Sequence, residues 1–137
     1  MIEHSCDGYF DFCASFRITD AATLHAEVTS RVGVSSSSAR KGDLHPYLKN
    51  RKVSHDMWVL DSPLPETSSW SDHLGWLDSR LRPHIEYLHA LKERGVKMDI
   101  FLGYRTDHDI SEFHVSADST EIVSVLGIPL TISVIVA

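Results

Sequence analysis

Nine histidines in 137 residues are the first side chains to question, because imidazole binds metals and moves protons near neutral pH. Asp107-His108-Asp109 is the densest cluster of acid and histidine. It lies between two strand-like runs, where residues of these types close turns by bonding their own backbone. His84 and His89 are five apart, which does not place both on one helical face, and His4, His25, His45 and His55 fall in separate segments. His4-x-Cys6-x6-Cys13 offers three ligands at no compact zinc spacing. The expectation from these residues is no bound metal and no cofactor.

Nucleophilic chemistry has no better signature. Gly-x-Ser-x-Gly, His-Glu-x-x-His and Gly-x-Gly-x-x-Gly are absent, and Lys41-Gly42-Asp43 lacks the preceding glycines of a phosphate loop. A nucleophile would have to be Cys13 or a serine, joined by the fold to a distant histidine. No catalytic residue is assigned, and binding is expected rather than catalysis.

Recognition chemistry is better supplied, by residues that strand alternation throws to one side. From 9 to 18, Phe10, Phe12, Ala14, Phe16 and Ile18 alternate with Tyr9, Asp11, Cys13, Ser15 and Arg17. From 98 to 105, Met98, Ile100, Leu102 and Tyr104 alternate with Asp99, Phe101, Gly103 and Arg105. If the apolar sides are buried, the polar sides share an open face, joined by Glu112 and His114 from a strand expected at 112–116. Arginine, aromatic and acidic groups together suit recognition. Asp11, Arg17, Asp99, Phe101, Arg105 and His114 are therefore the candidate binding residues. The plainer alternative is a solvated face with weak cross-strand charge pairs.

Those strands need elements to hold them. After the first, Thr19 or Asp20 is placed to cap a helix whose stripe is Leu24, Val28 and Val32, ending at Gly33. A polar stretch without periodicity runs from about 35 to 54. Met57 to Asp61 reads as a short strand before Ser62-Pro63-Leu64-Pro65. Ser69, with Asp72 three residues on, opens the strongest helix, striped by Trp70, Leu74, Leu77 and Leu81. Pro83 ends or kinks it, and Leu88 and Leu91 extend the apolar face to Gly95. A helix from about 118 to 126 and a strand from 131 to 136 complete the chain. Phe16-Arg17-Ile18 with its helix to Val32-Gly33-Val34 is echoed by Phe113-His114-Val115 with a helix to Leu126-Gly127-Ile128.

The expected fold class is α+β. An antiparallel or mixed sheet would contain a ferredoxin-like split β-α-β-β-α-β part plus an added N-terminal strand-helix unit, with the helices packed on one face. Residues 1–137 are expected to form a single domain.

Composition narrows the partners. Hydrophobic residues make up 42% and charged residues 23%, an ordinary globular balance. A formal charge of -6 repels phosphate backbones and anionic membranes, so neither nucleic acid nor membrane is expected as a partner. The first residues, MIEHSCDGYF, have neither the basic region nor the apolar core of a signal peptide, and two cysteines make no disulfide framework. The expected location is the cytoplasm.

Phe16-Arg17-Ile18-Thr19-Asp20, Lys41-Gly42-Asp43, Trp58-Val59-Leu60-Asp61-Ser62, Asp72-His73-Leu74 with Leu81 and Pro83, and Leu126-Gly127-Ile128 occur in an order that resembles the bacterial family called domain of unknown function 4279. The chain departs from it after the first helix, where the family usually carries a leucine-glycine and then a proline and this chain reads Val32-Gly33-Val34-Ser35. The resemblance implies a fold and a bacterial source, and no particular activity. The functional expectation is a small binding protein with a protein partner, of an immunity or antitoxin kind that neutralises a toxin. The alternatives are a small-molecule or anion-binding domain, or an enzyme, using the same open face; a homodimer through a sheet edge is a further structural option.

Overall fold

The computed structural model describes residues 11–33, 41–43, 52, 55–107 and 114–136. The polar stretch expected at 35–54 lies almost wholly outside these, as does the cluster at 107–109 apart from Asp107.

The alternating runs become strands because their apolar halves have a helical layer to pack against. β1 (Asp11–Thr19) lies between β2 (Met57–Asp61) and β3 (Lys97–Thr106), antiparallel to both, and β4 (Leu130–Val136) runs parallel to β3. The described strands thus form one mixed sheet of four, in the order β2-β1-β3-β4. β2 and β3 point the same way on either side of β1 and are joined through helices, so the strand inserted between them is the N-terminal one. A strand expected at 112–116 is not seen where the chain is described: residues 114–116 are irregular, and the echo of the first strand-helix unit loses its strand there.

α1 (His25–Val32) follows a 3-10 turn at Ala22–Leu24 and buries His25, Val28 and Val32. Asp20 does not cap it. Its backbone is left-handed, with φ of 59°, a conformation that aspartate tolerates better than most residues. Its carboxylate lies 3.0 Å from His55 Nδ1. Gly33 ends α1 at φ 135°, where a Cβ would come within 2.5 Å of the Arg80 guanidinium.

α2 (Trp70–Leu81) starts as its sequence predicts, with Ser69 Oγ accepting from the Asp72 N–H at 3.1 Å. Trp70, His73, Leu74, Leu77 and Leu81 form its buried stripe. Pro83 sits in a 3-10 turn, Arg82–His84, from which α3 (Ile85–Glu93) continues with Leu88 and Leu91 buried. Arg82 fastens this junction, donating to both oxygens of Asp78 at 2.7 Å and to Glu121 at 2.9 Å on α4 (Glu121–Leu126).

One cluster joins these stripes to the even-numbered side chains of β1 and β3. Its largest members place their polar atoms as buried aromatics must: Trp58 Nε1 donates to Thr29 Oγ1 and Trp70 Nε1 to the Gly103 carbonyl, each at 3.0 Å. Phe12, Trp70 and Tyr104 pack ring against ring, centroids 4.9 to 5.9 Å apart. β4 is the exception, because its even-numbered residues are in register with the buried ones of β3 yet stay exposed.

Candidate functional site

On the side away from the core, register fixes the neighbours. Asp11 faces Arg105, Cys13 faces Gly103, Ser15 faces Phe101, and Arg17 faces Asp99 across β1 and β3. Ser15 also faces Asp61 on β2, while Thr131, Ser133 and Ile135 continue the rows onto β4. Five of the six candidate binding residues, Asp11, Arg17, Asp99, Phe101 and Arg105, are thereby brought onto one face. His114 is not among them: it is exposed, in the irregular segment before the 3-10 turn at Asp118–Thr120.

The two arginines are held, not loose. Arg17 forks onto Asp99, Nε to Oδ1 at 2.9 Å and a terminal nitrogen to Oδ2 at 2.6 Å, and Thr131 Oγ1 donates to that same Oδ2 at 2.6 Å. Its guanidinium also lies 4.6 Å from the centroid of the Phe101 ring. Arg105 donates from two nitrogens to Asp11 Oδ2. Asp11 is nearly buried, whereas the Arg105 side chain is 46% exposed. Such forks fix a planar cation in one orientation.

Gly103 shapes the middle of the face. A Cβ there would fall 2.6 Å from Cys13 Sγ and 3.1 Å from the Phe101 ring, so the missing side chain makes room for both neighbours. Cys13 is exposed, but the packing around its sulfur pushes the thiol up from its ordinary value. The Gly103 backbone opposes that in part, while Asp61, Glu66 and Asp11 each add a smaller push in the same direction as burial. Thiolate chemistry is therefore disfavoured at Cys13.

A serine and a histidine do meet, at a place sequence reading passed over. Ser62 Oγ is 2.7 Å from His73 Nδ1 and accepts from the Leu64 N–H at 3.3 Å. Burial pushes the His73 imidazole below its ordinary value, partly offset by the Pro65 backbone and Asp72. A buried, neutral ring bonded to a hydroxyl secures the turn after β2. His73 follows Trp70 by three residues on the α2 stripe, a spacing that already places it inward. Ser15 Oγ likewise donates to Asp61 Oδ1, a cross-strand pair that needed the strand order to be seen.

Below the Arg17–Asp99 pair the face opens into a depression of about 410 Å³. Thr19, Lys97, Asp99 and Thr131 come from the sheet, and Lys92, Gly127 and Pro129 from the helical side. Among the described residues no three His, Cys, Asp or Glu side chains converge to hold a metal ion, and no helix is long and apolar enough to cross a membrane.

These features define an α+β domain whose mixed sheet carries helices on one side and an ion-paired polar face on the other. The family model described as Domain of unknown function (DUF4279) matches residues 9–137. The chain belongs to that family. No curated protein and no solved structure matches it.

Proposed function

We propose that this chain is a binding module whose open sheet face recognises a protein partner, with an immunity-like inhibitor of a basic toxin as its concrete form. The observation that carries the reading is the Arg17–Phe101 stack with Asp99 behind it. An arginine already clamped by its own carboxylate and laid on an aromatic ring loses little further side-chain freedom on binding, and these residue types dominate interface hot spots. The charge of -6 would speed encounter with a basic partner. Small-molecule or anion binding is the second reading, favoured by the depression that Lys92 and Lys97 line.

Recovery of a partner from the native host, followed by binding measurements with purified components, tests the first reading. Reversing the arginine charges is the wrong probe, because glutamate at 17 or 105 would face Asp99 or Asp11. Phe101→Ala with Arg17→Lys keeps the charge and removes the stack and the fork. This double variant is expected to weaken the partner at least tenfold with the far-UV spectrum unchanged. Undiminished affinity would remove this face from consideration.

A further inference from the structure

Among the described strands β4 forms a margin of the sheet, and its own sequence carries none of the residues that normally keep margins from pairing. An edge strand presents unpaired N–H and C=O groups, and proteins blunt it with charges, proline, bulges or short length. Leu130–Val136 runs for seven residues, Leu-Thr-Ile-Ser-Val-Ile-Val, with no charge, proline or glycine. Among the described residues its strand neighbour is β3 alone. Ile132, Val134, Ile135 and Val136 are 52 to 58% exposed.

The pairing with β3 decides which backbone groups point away. Ile100 N–H donates to the Pro129 carbonyl at 3.0 Å, so with a period of two the polar groups of Thr131, Ser133 and Ile135 turn toward β3. Those of Leu130, Ile132, Val134 and Val136 turn outward. An antiparallel copy of the same strand, on a two-fold axis through Ser133, sets Leu130 opposite Val136 and Ile132 opposite Val134. Each such pair exchanges both of its hydrogen bonds. A slip by one residue would present inward-turned groups, so every permitted register sets Leu130, Ile132, Val134 and Val136 opposite one another.

Charge permits that occupant at this strand. Two chains of -6 each repel wherever their acidic surfaces approach, and this strand is an uncharged strip on which like chains can meet. We propose that the chain forms a two-fold homodimer through antiparallel pairing of β4 with a second copy, merging two sheets into one. The inference is independent of the open-face reading and leaves that face accessible.

A strand-sized contact falls at the weak end of interfaces, so sedimentation across roughly 1 to 300 µM is the measurement. The mass should rise from 15.4 kDa toward twice that value, and added salt should favour the dimer by screening the repulsion. Val134→Lys should hold the protein monomeric throughout, with the thermal midpoint of dilute protein unmoved. In a Cys6→Ser, Cys13→Ser background, Ser133→Cys should cross-link under mild oxidation. At the axis a residue meets its own copy at about 4.5 Å, within disulfide reach. Ile135→Cys should not, because its own copy lies roughly 13 Å along the strands. A monomer at every concentration and salt, a dimer indifferent to Val134→Lys, or equal cross-linking at the two positions would each overturn the proposal.

Discussion

The two margins of the sheet have the same alternation and opposite fates. In β2 the inward residues Trp58 and Leu60 are 0 and 3% exposed, and the indole is tied to α1 through Thr29. In β4 the residues of matching orientation, Ile132 and Val134, are 53 and 52% exposed. Periodicity therefore tells which way a side chain points, while burial depends on how far the neighbouring layer extends. Here α1 is tied to the β2 side through Thr29 and α2 packs on β1, while the short α4 turns Ile122 and Leu126 inward without covering the strand that follows it.

The sharpest way to break the comparison is to cut a side chain from the covered side. Leu60→Ala on β2, or Leu77→Ala on the α2 stripe, should cost about 2 to 5 kcal/mol through lost burial and a cavity. A denaturant titration that gives less than about 1 kcal/mol would show that the helical layer is not packed as described.

A smaller effect separates the margins by pH. His73 beneath the turn after β2 is buried and titrates below its ordinary value, so the unfolded chain binds this proton more readily than the folded one. Its contribution is fully present above the ordinary histidine value of about 6.5 and is lost as pH falls from there toward the folded value. His73→Leu should flatten that part of the stability-versus-pH curve relative to the parent protein. Parallel curves for the two proteins would mean that His73 is solvated.

The smallest effect belongs to the bare margin. Ile132→Ala should cost dilute protein about 1 kcal/mol or less, because half of the side chain already faces water. A loss equal to that of Leu60→Ala would show that β4 is covered.

Local signals in the sequence were legible to within a residue or two. Met57–Asp61 reads correctly from five residues, Ser69 caps α2 as its type requires, and Pro83 marks the break between α2 and α3. What depends on distant neighbours was not legible. Nothing in Leu130–Val136 announces that it runs parallel to β3 or that the helices stop short of it. Alternation alone put Asp11, Arg17, Asp99, Phe101 and Arg105 on one face, since a period of two needs no knowledge of partners. That Arg17 and Arg105 are already engaged follows from register, and His114 was misplaced by reading a strand into a segment that is irregular from 114 on.

The order in which the strands are synthesised has a consequence in time. β1 occupies the middle of the sheet, yet its partner across the Arg17–Asp99 pair comes 82 residues later. At about 5 to 20 residues per second the ribosome needs on the order of 4 to 16 seconds to make that interval. Throughout it the nascent chain displays Phe12, Phe16 and Ile18 with β3 not yet made, and pairing over such a separation is slow even in the finished chain. β1 is thus made long before its pairing with β3 can secure it, and chaperones that seize exposed aromatic segments have that interval in which to act on it.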